Sequence, residues 1–382
     1  MTDIFELIRQ KCPDGVPIVQ IKSFCKVGTG SSNGNEAVED GDYPFYVRSE
    51  TVFRKDDYEF DETAIVIPGE GSIGDVFHYV EGKYALHQRA YRIHATDENV
   101  FMKYVYYYML AYFKTYITRQ SVDGTVASIR KPMIEKFAVP LPPLQIQREI
   151  VAILDKFDAY CNSITAGLAG ELEMRRKQYR YWAEELLSNP AYQQVKAGSL
   201  FARVRTKAKN APGGKVCTIS NTKGIIPKEE FGSRTMTSED TSKYLSIPAD
   251  GIGYRPMGLD VGTIGLNKLG VPAYVSPAYH GFTVDKSRLM PEYLMIWLRT
   301  DMFDRQREQL TEEGARKKFD YDHWNKITMP LPDLQEQARL VSILGKFREL
   351  EHELEHELEL RRKQYEYYRD ILLSFPERKE NA

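Results

Sequence analysis

The sequence predicts an α+β protein made of two similar halves, each a mixed α/β region followed by one long helix. Three observations predict it. The junction VPLPPLQIQ (139–147) returns as MPLPDLQEQ (329–337). The segment RRKQYRYWAEELLS (175–188) returns as RRKQYEYYRDILLS (361–374). Behind each junction, apolar residues recur at heptad spacing, as a packed helix requires. The implied boundaries are 1–142 for the first α/β region, 143–189 for the first helix, 190–332 for the second region and 333–376 for the second helix, with 377–382 as a tail.

The opening MTDIFELIRQ carries acidic residues and lacks the basic, apolar and small-residue order of a signal peptide. TAIVIP (63–68) reads as a strand and GEGSIG (69–74) as tight turns after it. A dinucleotide site with that glycine spacing needs a helix next, whose N-terminus faces the pyrophosphate. The sequel DVFHYVEGKYALHQ (75–88) reads instead as two short strands about an EGK turn. YVYYYMLAYF (104–113) is about half the length of a membrane-spanning helix and reads as a buried one. In the second region GTIG (262–265) is matched to GSIG (71–74), Gly314 to Gly124, and MPEYLMIWLRTDMF (290–303) to the aromatic helix, with Pro291 in a first helical turn.

The helices follow from spacing. Ile150, Phe157 and Ile164 are seven apart, as are Leu172, Tyr179 and Leu186; Leu340, Phe347, Leu354 and then Leu358, Tyr365, Leu372 repeat the pattern. Phe157, Ile164, Tyr179, Phe347, Leu354 and Tyr365 are therefore the candidate helix-packing and partner residues. The PLP landmarks are offset by 190 and the RRKQY landmarks by 186, so the second copy lacks four residues, close to one helical turn. Glu171 with Arg175 and Glu359 with Lys363 are i,i+4 pairs in the favourable order. Pro142, Pro143 and Pro332 hold the approach to each helix extended. Gly167 and Gly170 in the first helix each cost roughly 1 kcal/mol relative to Ala; their spacing fits either close helix contact or a bend.

Net charge is −2, but its parts differ. Residues 1–142 hold 16 Lys+Arg against 20 Asp+Glu, hence −4, and residues 190–332 hold 21 against 15, hence +6. A chain that grips a polyanion unaided is usually more basic, so any nucleic-acid partner would be held with help. Cys12, Cys25, Cys161 and Cys217 have no metal-ligand spacing and read as reduced thiols of a cytoplasmic protein. No P-loop occurs. His352 and His356, at i,i+4 among glutamates, read as a solvated face. No catalytic residue, cofactor or metal is expected.

Basic residues beside aromatics suit phosphate and base contacts. Tyr46 and Arg48 in YPFYVRSE (43–50) and Tyr254 and Arg255 in GYRPM (253–257) have this form. Arg203, Arg205 and Lys207 in RVRTKAK (203–209) alternate at period two, so an extended chain would aim them to one side; a flexible linker is the alternative. Arg316 and Lys317 in GARKK (314–318), with Arg130 and Lys131 as counterparts in GTVASIRK (124–131), complete the candidates.

Taken with CPDGV (12–16), YRPMGLDVGTIG (254–265), VSPAYHGF (275–282) and GARKKFDYDHWNKITMPLP (314–332), the doubled PLPxLQxQ and RRKQY segments resemble the specificity subunit of type I restriction–modification systems across nearly the whole chain. The resemblance implies two target-recognition domains, each reading half of a split double-stranded DNA site. It implies two long helices forming an antiparallel coiled coil with a pseudo-twofold, and closure of roughly residues 1–16 onto the end of the second helix. It also implies two adenine-methyltransferase subunits on the helices and restriction (nuclease–translocase) subunits beyond them. S-adenosylmethionine and ATP then belong to those partners. A coiled-coil scaffold without sequence-specific DNA contact is the competing expectation; dissimilar regions beside similar helices weigh against it.

If the helices act as a ruler, they set the number of unread base pairs between half-sites, since one DNA turn spans roughly 34 Å. Deleting a heptad-scale piece within 158–174 should change spacer length and leave both half-sites intact, as mapping of methylated adenines would show; changed half-sites would refute the ruler.

Overall fold

The computed structural model describes residues 2–71, 74–119, 128–221, 223–231, 241–259, 262–310 and 318–376. Seven α-helices appear among them: α1 (Thr2–Lys11), α2 (Met102–Arg119), α3 (Lys131–Glu135), α4 (Leu144–Leu187), α5 (Pro291–Trp297), α6 (Asp301–Leu310) and α7 (Leu334–Leu373). At 1.5 Å per residue, the 44 residues of α4 span about 66 Å and the 40 of α7 about 60 Å. The chain divides into two compact units, residues 1–167 with 358–382, and residues 168–357. Each unit thus holds one α/β head and part of both long helices.

In the first unit the strands are β1 (Ile18–Gln20), β2 (Cys25–Thr29), β3 (Tyr43–Tyr46), β4 (Phe53–Lys55), β5 (Phe60–Asp61), β6 (Ala64–Pro68), β7 (His78–Val80), β8 (Lys83–Leu86), β9 (Ala90–Ala95) and β10 (Ala138–Pro140). They form a β1-β10 ribbon and two four-stranded sheets, β2-β9-β6-β7 and β4-β3-β8-β5. The TAIVIP segment is continuously apolar because β6 is buried on both faces. Ile65 and Ile67 join Ile93 and α2 in one core, while Ala64 and Val66 join Tyr84 and Leu86 in another. Tyr104, Val105, Met109, Phe113 and Ile117 line the buried face of α2 at steps of one turn.

In the second unit the strands are β11 (Gln193–Lys196), β12 (Phe201–Arg203), β13 (Lys215–Ser220), β14 (Gly224–Pro227), β15 (Leu245–Ile247), β16 (Ile252–Tyr254), β17 (Ile264–Leu266), β18 (Ala273–Val275), β19 (His280–Val284) and β20 (Thr328–Leu331). Their order is β11-β20, β12-β19-β16-β17 and β14-β13-β18-β15, the first unit's scheme advanced by ten. Even the parallel pairs correspond, β3 with β8 and β13 with β18. The counterpart of α2 is broken into α5 and α6. Thr300 accounts for the break, its hydroxyl donating to Trp297 O (2.7 Å) while its carbonyl accepts from Asp304 N–H in the first turn of α6.

The ladders correct one sequence match. Gly253 pairs with Gly265 as Val66 pairs with His78, so GTIG occupies the place of β7 and is not the counterpart of GSIG. Among the described residues after Gly74, turns and β7 follow rather than a helix.

The repeated junction has a physical cause. Gln147 and Gln337, almost fully buried in the first turns of α4 and α7, make equivalent bonds. The Gln147 amide donates to Asn99 O (3.0 Å) and Pro142 O (2.8 Å), and its oxygen accepts from Phe101 N–H (2.8 Å). Gln337 donates to Arg288 O and Pro332 O and accepts from Met290 N–H, each at 2.8 Å. Tyr104 and Tyr293 add matching hydroxyl bonds at 2.9 Å to Pro140 O and Pro330 O.

Beyond the junctions the helices pair. In the first unit Phe157 meets Tyr368, with ring centroids 5.2 Å apart; in the second Arg176 meets Glu355 at 2.6 Å. Positions therefore rise along α4 as they fall along α7, which makes the pair antiparallel. The start of the chain packs on the end of α7: Ile4 shares the core of Leu372 and Leu373, and Val16 N–H donates to Pro376 O (3.0 Å).

Gln147→Leu and Gln337→Leu each strand three buried backbone groups, at about 1–3 kcal/mol per group. We expect each to lower stability by at least about 2 kcal/mol, read as a reduced urea midpoint.

Candidate nucleic-acid interface

In the first head, the turn from β8 to β9 is closed by Ala90 N–H donating to His87 O (3.0 Å), which leaves Gln88 and Arg89 exposed. His87 is buried, and its Nδ1 accepts from Arg89 N–H (3.0 Å). Burial, then the charges of Arg48 and Arg89, lower its pKa and favour the neutral ring. Glu70 lies alongside: its Oε2 is 3.2 Å from Arg48 Nη1 and 3.1 Å from Arg89 Nη1, with all three side chains 41–58% exposed. Gln88 also donates to the Asn33 side chain.

Arg130 enters the same rim, because Ile129 N–H donates to Gly69 O (2.8 Å) and Ser128 bridges to Glu70. Arg130 is exposed, and Lys131 is 3.6 Å from Glu135 one turn along α3. Tyr46 is differently placed. It is half-buried, with ring centroids 5.0 Å from His78 and 5.9 Å from Tyr84, and burial raises its hydroxyl pKa. Its ring is packed into the sheet rather than standing free to stack on a base.

In the second head, Arg203 ends β12 with its guanidinium 5.2 Å from the centre of the Tyr321 ring. Burial raises the Tyr321 hydroxyl pKa, and Arg203 and Arg205 partly offset it, so both cations stand near this ring. The period-two edge does not run on: Lys207 is half-buried in an isolated bridge to Leu245, and Lys209 falls in the short turn Ala208–Asn210. Arg255 is exposed, and its backbone N–H donates to Thr263 O. Arg316 and Lys317 lie outside the described residues.

Tyr254 corrects the sequence expectation. It is fully buried, facing the α5 and Trp324 core, its ring edge-on to Trp324 at 5.7 Å. On β16 side chains alternate, so Ile252 and Tyr254 share one face, the place of Ile65 and Ile67 in the first head.

The helix-packing candidates point inward within their own units. Tyr179 is buried, Ile164 and Leu354 are half-buried, and Phe347 packs against the second unit's core. Burial pushes the Tyr365 hydroxyl up to about 12. Among the described residues there is no group of side chains able to hold a metal ion, and no helix long and apolar enough to cross a membrane.

Residues 13–174 match the family model of the type I restriction modification DNA specificity domain. The matched stretch takes in nearly all of the first head and most of α4. The chain is 29% identical over 307 residues to the EcoR124I/EcoR124II specificity subunit of Escherichia coli, covering 73% of this chain and 72% of that one. A putative type I specificity subunit of Mycoplasma pneumoniae aligns over 374 residues at 23% identity, covering 94% and 97%. A solved structure from work on complex assembly and conformational transition of the type I R-M system shares the fold, with a TM-score of 0.57 at 14% identity, covering 94% of this chain and 98% of that one.

A second surface escaped the sequence reading. Among the exposed apolar residues of the long helices are Tyr160, Leu360 and Tyr367 in the first unit and Leu350, Met174 and Tyr181 in the second, all 43–63% exposed. By the 190 and 186 offsets these are three equivalent pairs: Tyr160 with Leu350, Met174 with Leu360, Tyr181 with Tyr367. Counted from the packed heptads, Tyr160 and Leu350 take g-type positions and the others c-type positions, which border one flank of an antiparallel pair. The first head takes the other flank, where Asp155 accepts from Lys103 Nζ (2.8 Å) and Tyr107 Oη (2.6 Å). The signal was present in the sequence as apolar residues outside the heptad series.

Tyr254→Ala should cost about 3–5 kcal/mol of stability by opening a core cavity. Arg255→Ala should change it by no more than about 0.5 kcal/mol. Thermal melts of the two variants check both.

Proposed function

We propose that the chain reads an asymmetric, bipartite DNA site for a type I restriction–modification complex, one half-site per head. One observation carries this reading. The heads share a strand scheme, yet the equivalent turns at their rims hold Gln88-Arg89 in one and Pro277-Ala278 in the other. Identical frames with unlike chemistry at the rim suit two unrelated half-sites.

The chain supplies recognition, and partner subunits supply methyl transfer, translocation and cleavage, with S-adenosylmethionine and ATP bound by them. The net charge of −2 supports this division, because a partner must then provide part of the phosphate grip. The paired apolar triads give each unit an equivalent surface for one adenine-methyltransferase subunit, hence two per chain, and restriction subunits join beyond them.

Mapping methylated adenines in cells that express the chain with its methyltransferase tests the recognition reading; a split motif with unlike halves is expected, and a continuous or absent motif refutes it. Replacing Tyr181 and Tyr367 by Ser should weaken methyltransferase retention by about 1.5–3 kcal/mol per site, the value of burying a large apolar side chain, while melting temperature holds.

A further inference from the structure

Because the two heads have one strand scheme, their ladders align them residue by residue. Ile65 pairs with Ile93 as Ile252 pairs with Phe282. Gly69 O accepts from Ile129 N–H as Pro256 O accepts from Phe319 N–H, at 2.8 Å in both. The turn from His87 to Ala90 closes at 3.0 Å, as does the turn from Ser276 to Tyr279. Glu70 therefore corresponds to Met257, Gln88 to Pro277 and Arg89 to Ala278. The frame is shared, and the exposed chemistry is opposite.

We infer that these positions read the bases that distinguish the half-sites: Arg89 and Glu70 of the first head a G·C pair, Met257 and Ala278 of the second a thymine methyl group. The inference rests on the proposed recognition function and assigns it to particular side chains. A phosphate contact is the alternative for Arg89, and Glu70 argues against it. Its carboxylate, about 3 Å from both Arg48 and Arg89, would repel a phosphate. A base edge has no such conflict. Guanine O6 and N7 accept a bidentate arginine, and the cytosine N4 amine donates to a carboxylate. Sharing one carboxylate between two arginines also restrains sequence-blind binding, since part of the rim's positive charge is neutralised until a matching edge arrives.

Among the described residues, the equivalent positions of the second rim hold no such pair. Met257 is 47% exposed, and Pro277 and Ala278 are exposed in the turn that corresponds to Gln88-Arg89. These side chains offer nothing to a phosphate, whereas apolar contact with the thymine C5 methyl is a recognised base discrimination.

The experiment uses the assembled chain–methyltransferase complex and measures methylation of duplexes with single base changes in each half of its mapped motif. Arg89→Ala and Glu70→Gln should each lose about tenfold discrimination at one G·C pair of one half-site. Arg89→Lys, which keeps the charge but not the fork, should behave like Arg89→Ala. In the other half-site, uracil in place of one thymine should slow the native complex severalfold and leave Met257→Ala indifferent. Arg89 and Met257 are exposed and Glu70 is half-exposed, and melting curves verify folding. Undiminished discrimination in the Arg89 variants, effects of Arg89 and Met257 in the same half-site, or indifference of the native complex to uracil would overturn the inference while leaving a split motif, and so the recognition function, standing. Loss of the split motif in the native complex would overturn both.

Discussion

A buried carboxamide, placed twice, governs how this protein is put together. Gln147 and Gln337 each satisfy two backbone carbonyls and one N–H at the point where a head meets the first turn of its helix. The first turn of any helix leaves N–H groups unpaired, and the entering loop adds carbonyls of its own. In a dry junction these must find partners or cost about 1–3 kcal/mol each. Glutamine alone among side chains of that reach offers two donors and an acceptor in one plane. The proline pair before the first helix and Pro332 before the second hold the carbonyls extended for it. The repeated PLPxLQxQ is therefore the covalent record of a repeated hydrogen-bond problem.

With its helix entry fixed, each head is held to its arm by more than the junction. In the first unit Asp155 ties α2 to α4, and burial of Asp158 beside Asp155 raises its pKa. At the position equivalent to Asp158 the second half carries Arg348, which lies near the half-buried Arg299 and Glu351 and the buried Tyr179. The two halves thus share apolar registers and differ in the charges beside them. Such charges contribute little to net stability once desolvation is counted, but mismatched ones penalise wrong pairings. The glycines of α4 do not serve close approach: a Cβ on Gly167 or Gly170 would meet no described atom within 4 Å.

Periodicity made the architecture legible in the sequence. Heptads, a one-turn deletion and a doubled junction specify two packed helices because each is a constraint spread over many residues. The rims were less legible for a reason that Tyr254 and Arg255 illustrate. They are adjacent, both look suited to DNA, and strand alternation puts the first into the core and leaves the second exposed. Register decides such cases, and short motifs misjudge register: GSIG and GTIG are alike in letters and lie at different places in the ladder. Arg89 went unremarked because its neighbour Glu70 is nineteen positions away in the chain and near only in the folded rim.

The first head also contains a control for the rim. Arg92 pairs with Glu62, but their side chains are only 10% and 14% exposed, Glu62 also accepts from Tyr84 Oη (2.9 Å), and the Arg92 guanidinium lies 4.2 Å from the centre of the Phe60 ring. Removing one partner there would leave a buried charge uncompensated, at about 3–5 kcal/mol, so this pair is committed to joining the two sheets. Arg48, Glu70 and Arg89 form an ion pair network of the same residue types in water, where each contact is worth no more than about 1 kcal/mol. On the inferred reading, DNA opens it at small cost and replaces it with base-edge bonds of greater value. The same chemistry is structural in one place and exchangeable in the other, and depth below the surface makes the difference.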